Sequence, residues 1–187
     1  MTFGTFKAKN RKCSVCAKTF LKTSPDHTVC NYLCAIAKLK EAKQKKAFKE
    51  YRAARERIKT KGDHAKDTQA VINLYVRLRD AILGCVSCDK PSTWQGQWHA
   101  SHFRSRGAAP HLRFNLNNIH KSCSVCNNHM SGNIGGYRPA LIEKIGQAKV
   151  DWLECNQDAV RHDIPYLKRL RAVFAKKIKR ISAGRTA

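Results

Sequence analysis

Acidic residues are what this 187-residue sequence has fewest of for its size: 13 Asp and Glu stand against 37 Lys and Arg, a formal net charge of +24 at pH 7. A chain so unbalanced repels itself unless a polyanion neutralises it, so nucleic acid is the expected partner. An anionic membrane surface is the rival, yet long apolar runs are missing too. None approaches the roughly 18 residues of a spanning helix and no signal-peptide core follows Met1, which points to a soluble, intracellular protein. Between Cys85 and Tyr137 the only carboxylate is Asp89, so a carboxylate-rich two-metal site is excluded within that stretch.

What is present is cysteine. Eight of the nine fall as CxxC, CxxxC, CxxC and CxxC, a spacing that suits metal better than a set of disulfides. Reduced thiolates on zinc are therefore expected: Cys13, Cys16, Cys30 and Cys34 at one site, Cys85, Cys88, Cys123 and Cys126 at a second, each a complete tetrahedral set. His27 then remains a surface loop residue. Cys155 is left over and reads as a half-buried free thiol near Trp152.

With 42% hydrophobic residues the chain has material for one ordinary domain or two small ones. Four segments are expected. Residues 1–34 are a basic arm, flexible as far as Cys13, followed by the first zinc finger. Residues 35–83 are a basic helical segment. From Leu33 to about Lys59 Ala, Lys, Glu and Arg predominate without Gly or Pro, predicting one long helix with a thin stripe of Phe48, Tyr51 and Ile58. Its many cations face few acids, which favours phosphate contact or a dimer arm over mere solvation. Gly62-Asp63 breaks it, Asp63 is the expected N-cap of a second helix over 65–83, and Val71, Leu74 or Tyr75, Leu78 and Ile82 are its expected packing face. Gly84 is the expected stop.

Residues 84–146 carry the chemistry. Thirty-four residues separate Cys88 from Cys123, punctuated by Gly96, Gly107 and Pro110. They read as two short strands and a loop, followed by a helix starting near Cys123 or Cys126. Zinc would staple the entry of this hairpin to the helix, supplying stability that so small a core lacks. The fold class is α+β. After it, Gly135-Gly136 reads as a turn and Pro139 as the first position of a helix to Ile145. Residues 147–187 form a basic helical segment in which Trp152 is expected in the core. Pro165 opens a last helix with Leu167, Leu170, Phe174, Ile178 and Ile181 on one face and seven cations opposite.

Within the block, His102, then Asn118-Ile119, then Cys123-xx-Cys126-Asn127 resembles the HNH or ββα-metal nuclease motif. The flanking CxxC pairs are similar to those of phage recombination endonuclease VII. A closer resemblance is to the NinG, or Rap, proteins of lambdoid phages, carried by His102-Phe103-Arg104, Ala108 to Asn115, Asn118 to Lys121, Cys123 to His129 and Ser131-Gly132-Asn133. That resemblance implies a zinc-stapled HNH-like core and a structure-selective endonuclease. The substrates implied are branched recombination intermediates such as Holliday junctions and D-loops, cut to 5′-phosphate ends with Mg²⁺ or Mn²⁺. It also implies a homodimer, and a phage-encoded protein working in the host cytoplasm on nucleoid DNA.

Phosphodiester hydrolysis needs a base to activate water, a cation to stabilise charge and a positive surface to hold the polyanion. His102 is the expected general base, since imidazole titrates near neutral pH. Asn118 is cast as a holder that hydrogen-bonds backbone, and Asn127 as the favoured metal-ion ligand. His99, His129 and Asn133 are further candidates for a divalent ion or phosphate. Where the endonuclease VII pattern has an Asp just before the base, this chain has Ser101. His99 is the natural substitute, although strand alternation sets it on the face opposite His102, and Glu143 is a ligand that could come from elsewhere. Arg104, Arg106, Arg113 and Lys121 are the expected DNA contacts; His111 and His120 are expected to be a loop residue and a strand-side or phosphate contact. The competing reading is a non-enzymatic zinc-finger protein that binds nucleic acid by charge alone.

Overall fold

The structure is a computed structural model that describes residues 7–184. It divides into two compact units, Met1–Lys59 and Thr60–Ala187. Among the described residues no helix is long and apolar enough to cross a membrane.

In the first unit, strands β1 (Lys9–Lys12) and β2 (Thr19–Lys22) pair antiparallel, Lys9 opposite Lys22 and Lys12 opposite Thr19. The basic arm thus ends earlier than expected: residues 9–12 are already a strand, and residues 1–6 lie outside the described residues. Cys13 and Cys16 occupy the hairpin turn, which closes through Ala17 N–H to the Cys13 carbonyl at 3.0 Å, with Ala17 in the left-handed region at φ 59°. Helix α1 (Tyr32–Arg57) starts at Asn31, whose side chain accepts from Cys34 N–H at 2.9 Å. Its length follows from helix-favouring residues unbroken by Gly or Pro. Cys34 is its only buried residue, and Phe48, Tyr51 and Ile58 are 60–80% exposed.

The second unit opens with helix α2 (Lys61–Arg79). Its N-cap is Thr60 rather than Asp63. The two form a capping box, Thr60 Oγ1 accepting from Asp63 N–H and Asp63 Oδ2 accepting from Thr60 N–H at 3.0 Å. The buried face is Ala65, Thr68, Ile72 and Val76; of the expected stripe, Val71 and Tyr75 pack partly buried against the same core and Leu74 is 40% exposed. Helix α2 ends at Arg79, so Ile82 falls beyond it and is 85% exposed. Gly84 instead sits where any Cβ would meet the Lys90 carbonyl at 2.5 Å, inside the cysteine knuckle.

Helix α2 packs on the last helix, α5 (Ile164–Ala183). Ile72, Val76, Leu167 and Phe174 meet Phe114 and Ile119 in one core cluster, each contributing about 1.5–3 kcal/mol by leaving water. Thr68 Oγ1 donates to the Leu167 carbonyl at 3.1 Å, tying the helices together. Asp163 caps α5 by accepting from Tyr166 N–H at 2.7 Å, and Pro165 sits in its first turn as expected.

Strands β3 (Trp98–His102) and β4 (Ile119–Cys123) form an antiparallel hairpin with Trp98 opposite Cys123 and His102 opposite Ile119. Between them the chain makes a 3-10 turn at Pro110–Leu112. After β4 a helix starts where expected, but it is a single π-type turn, Val125–His129. Ser131, Gly132 and Asn133 all have positive φ, which breaks the path, and helix α3 (Ile134–Ile145) begins only after them. Gly135-Gly136 is consequently helical, with Pro139 inside α3. Gly136 is required where it is, since a Cβ there would lie 2.3 Å from the Ser87 carbonyl. Helix α4 (Gln147–Cys155) buries Val150 and Leu153 with Phe103, Leu112, Tyr137 and Leu141 in a second cluster. Trp152 is 47% exposed and Cys155 is exposed, against the expected core tryptophan and half-buried thiol.

Candidate active site

The two expected cysteine sets are assembled. In each, the four sulfurs lie within 4.8 Å of one another, with pairs at 3.4 Å (Cys16–Cys30), 3.7 Å (Cys30–Cys34) and 3.9 Å (Cys88–Cys123). A tetrahedral zinc with sulfur at about 2.3 Å requires sulfurs about 3.8 Å apart. Backbone N–H groups point at the sulfurs as thiolates demand: Cys123 to Cys85 at 3.2 Å, Ser87 to Cys85 and Cys126 to Cys123 at 3.4 Å. Burial, then the neighbouring Cys88 and Cys123 sulfurs, push Cys126 up to about 12, so it needs a cation to ionise. The donor set fits zinc. His27 stays apart, bonded to Thr23 and edge-on to Phe20.

Beside the second cluster lies an open cleft of about 480 Å³. Strand β3 brings His99, Ser101 and His102 to it, the π-type turn brings Asn127, and Arg106 comes from the loop after β3. His99 and His102 therefore border one cleft despite strand alternation, because His102 is the last residue of β3. His102 Nε2 lies 3.0 Å from the Arg113 carbonyl. A carbonyl only accepts, so Nε2 carries the proton and Nδ1 keeps its lone pair. Burial chiefly holds the His102 pKa below the usual imidazole value. The Arg113 carbonyl opposes this, and the charges of Arg106 and Arg113 add to the lowering. His102 is thus an uncharged imidazole at neutral pH.

Asn127 Nδ2 and His99 Nδ1 are 3.1 Å apart. Together with Ser101 they are the donors that could face a divalent ion; no carboxylate lines the cleft. An imidazole and amide set of this kind holds Mg²⁺ or Mn²⁺ weakly and leaves most of its water in place. Ser101 is nearly buried, and its carbonyl accepts from the Tyr137 hydroxyl at 3.0 Å.

Asn118 is fully buried behind the cleft. Its Oδ1 accepts from Arg104 N–H at 2.7 Å, and its Nδ2 donates to the carbonyls of Arg104 at 3.0 Å and Leu112 at 3.2 Å. It therefore cross-links the chain leaving β3 to the 3-10 turn. The remaining candidates lie elsewhere. His129 is exposed on the π-type turn and does not border the cleft. Asn133 donates to the Ser87 carbonyl and to Cys126 Sγ at 3.7 Å, which makes it part of the cysteine knuckle. Glu143 is exposed on α3 away from the cleft, and His111 is bonded to the Asn156 carbonyl.

Three of the four expected DNA contacts have other partners. Arg104 donates to the Leu153 and Glu154 carbonyls at the end of α4. Arg113 donates to Gln69 Oε1 and the Ala65 carbonyl. Lys121 is buried, its Nζ on the Ala81 and Leu83 carbonyls and 4.0 Å from the Trp98 ring centroid. Only Arg106 is left on the cleft.

Sequence reasoning missed the cleft's other wall. Gln69, Asn73 and Arg77 of α2 border it, and their i, i+4, i+8 spacing, which sets them on one helix face, was the available signal. Gln69 Nε2 donates to Asn73 Oδ1 at 2.8 Å while Gln69 Oε1 accepts from Arg113, so a continuous chain of contacts runs from α2 to the residue holding His102. A second cluster was also missed. Asp80, 3% exposed, receives Arg79 at 2.7 Å, Lys144 at 3.3 Å and the Lys121 N–H at 3.2 Å, with His120 Nδ1 at 4.0 Å. His120 is consequently a buried structural histidine and not a phosphate contact.

Hairpin, cysteine clusters and basic cleft define an α+β protein with two four-cysteine sites suited to zinc. The family described as Bacteriophage Lambda NinG protein matches residues 5–183, and the chain belongs to that family. Among curated proteins it is 41% identical to protein ninG of Escherichia phage lambda over 129 residues, 69% of this chain and 62% of that protein. It is 40% identical to protein ninG of Salmonella phage P22 and 39% to that of Escherichia phage 933W, each alignment covering 69% of this chain and 63% of the relative. The chain thus matches somewhat under two thirds of these relatives' length. No solved structure matches it.

Proposed function

We propose that the protein is a metal-dependent DNA endonuclease of the HNH-like, ββα-metal kind that cuts branched recombination intermediates such as Holliday junctions and D-loops. The observation that carries this reading is the meeting of His99, His102 and Asn127 in one positively flanked cleft beside a four-cysteine cluster. His102 takes the proton of the attacking water at Nδ1 while the Arg113 carbonyl fixes the ring through Nε2. His99 and Asn127 would hold Mg²⁺ or Mn²⁺, which supplies charge stabilisation at the phosphate and leaving oxygen. Arg77 and Arg106 hold the phosphate backbone on either side. Asn118 keeps the loop after β3 in register. The zincs are scaffold.

Two symmetric cuts in a four-way junction require two cleft copies, so the working form is a homodimer. The test is cleavage of a labelled four-way junction with Mg²⁺ or Mn²⁺ by wild type and by His102→Ala. Loss of roughly 10²- to 10⁴-fold in rate with unchanged junction binding is expected of a general base. Metal-dependent cutting that survives the substitution overturns the mechanism. A wild type that binds junctions but cuts none leaves the chain a non-enzymatic zinc-finger binding protein.

A further inference from the structure

A second hollow of about 540 Å³ lies one contact away from His102: it is bordered by Arg113, the residue whose carbonyl holds the His102 ring. Nothing in the hydrolytic scheme uses it. Its volume is that of a site for one small ligand rather than for a duplex.

The side chains that border it form an unusual set. His162 has both ring nitrogens shut off from solvent without a hydrogen bond of ordinary geometry, the Pro110 carbonyl acting on the ring from outside those limits. A buried, unpaired imidazole costs stability, which invites a reason for keeping it. Burial chiefly lowers its pKa, so the ring is neutral and carries one donor and one acceptor. The ring lies edge-on to Phe114 with centroids 4.9 Å apart, and nearly parallel to Tyr166 at 5.5 Å and 24°. Lys61, exposed at the start of α2, and Arg113 bring positive charge to the same hollow, and Asp158 adds one carboxylate.

Aromatic surface, a neutral donor and acceptor pair, and flanking cations together match one ligand chemistry: a nucleotide whose base is unstacked and unpaired. The base would lie against the His162 and Phe114 rings, a turn of the His162 ring would bring its closed-off nitrogens to the base edge, and the phosphate would meet Lys61. We infer that this hollow receives one unpaired nucleotide of the DNA strand whose neighbouring phosphate occupies the His102 cleft. The inference rests on the proposed nuclease reading for that second clause only. It supplies a physical basis for preferring branched DNA, since a branch point offers unstacked bases that an intact duplex does not. Arg113 belongs to both places, so an occupied hollow would also steady the general base.

The test uses the whole zinc-loaded chain in EDTA-free, Mg²⁺-free buffer to suppress cutting. A four-way junction carrying 2-aminopurine at the branch point is compared with one labelled ten nucleotides along an arm, and with a single-stranded trinucleotide and a free nucleoside monophosphate carrying the same base. The variant is the double substitution Lys61→Ala and His162→Leu, which leaves the cleft residues untouched. Wild type should change the fluorescence of the branch-point label and not of the arm label, and should bind the trinucleotide. The double variant should bind the trinucleotide roughly tenfold or more weakly, the loss expected of one stacking and one phosphate contact. It should also lose the branch-point signal while its thermal midpoint stays level or rises, because two unpaired buried nitrogens are gone. Trinucleotide binding unchanged in the variant overturns the inference and makes His162 purely structural. Tight binding of the free monophosphate with no branch-point signal would make the ligand a soluble nucleotide and overturn the strand assignment. If wild type binds the trinucleotide in the hollow yet cuts no junction once Mg²⁺ is added, the nuclease reading fails and the nucleotide site stands.

Discussion

The Arg113 carbonyl sits 3.0 Å from His102 Nε2, so a loop residue eleven positions along the chain determines which ring nitrogen is basic. The proposed base therefore works from Nδ1, and its pKa is held below the usual imidazole value, first by burial and then by the Arg106 and Arg113 charges.

That arrangement sets the pH profile. The base is active when neutral, and the neutral fraction rises with pH through a pKa that lies below 6.5. Cleavage of a four-way junction under single-turnover conditions should climb through an acid limb centred below that value and level off above it. Arg106→Ala removes a charge that disfavours protonation, so its limb should move to higher pH. A limb centred above 7 in wild type, or one that Arg106→Ala leaves in place, would count against His102 as the base.

The buried Asn118 makes three hydrogen bonds to backbone groups of Arg104 and Leu112. Replacing it by Ala strands a buried N–H and two carbonyls, at a cost of about 2–4 kcal/mol. Urea unfolding should register that loss in full for Asn118→Ala, and Asn118→Asp, which keeps the acceptor but loses the two donors, should also be destabilised. His102→Ala, whose ring makes one such bond, should lose clearly less stability while losing more activity. Equal stability losses would mean that Asn118 holds nothing that His102 does not.

Arg77 and Arg106 flank the cleft from α2 and from the loop after β3. If both meet phosphates, each Ala substitution should weaken junction binding uniformly across sequences and reduce the slope of log K against log salt by about one. Lys121→Ala serves as the contrast. Its amino group is enclosed by the Ala81 and Leu83 carbonyls, so the expected loss is in folding stability with little change in salt slope.

Much of this was legible in advance because spacing carries it. The cysteine intervals gave both four-cysteine groups suited to zinc, and the strand, loop and strand pattern gave the hairpin that presents His99 and His102. Asn118 was read as a backbone holder from its place in the HNH-like pattern, and its three hydrogen bonds to backbone groups agree with that reading. What escaped was whatever depended on packing direction. Helix α2 reads as amphipathic, and Val71 and Tyr75 of the expected stripe do pack on the core, but Ile72 and Val76 lie deepest, Thr68 and Gln69 are buried through hydrogen bonds and Leu74 is left 40% exposed. That shift in the buried face goes with Gln69, Asn73 and Arg77 bordering the cleft. Cations are equally hard to assign from sequence, because a carbonyl-rich helix end or loop satisfies Arg104 and Lys121 as well as a phosphate would.

Acid should destabilise the protein through His120. Burial chiefly, with the charges of Lys144 and Arg79 added, takes its pKa down from 6.5 to about 4. The unfolded state then binds more protons between those two values, so stability is fully present above about 6.5 and is lost as pH falls to about 4. The expected loss is about 3 kcal/mol. Asp80 adds nothing in that window. Burial opposes its ionisation, but Arg79 and Lys144 outweigh it and hold the carboxyl below the ordinary value, so its contribution is lost only in stronger acid. Urea unfolding from pH 8 to pH 4 should show the slope, and His120→Gln should flatten it. A His120 ring titrating near 6.5 by NMR would remove the explanation.

The two cysteine clusters sit in separate compact units, so their metals should be separable as well. Elemental analysis of protein purified without chelator should return two zincs per chain. Cys16→Ser should lose one of them and leave the unfolding transition of Thr60–Ala187 within about 1 kcal/mol of wild type, because no residue of that unit ligates the first metal. Cys126→Ser should also lose one zinc, but with a different consequence. Cys123 ends β4, Cys126 lies in the π-type turn and Asn133 reaches its sulfur from the start of α3, so the second metal joins the hairpin to the helix that follows. Structural zinc typically contributes about 10–16 kcal/mol of apparent binding energy at neutral pH, more than the whole stability of an ordinary domain. The hairpin and α3 should therefore lose their amide-exchange protection in Cys126→Ser, and junction cutting should vanish with them. Retention of both in a Cys126→Ser protein holding only one zinc would show that packing of β4, not metal, holds the cleft together.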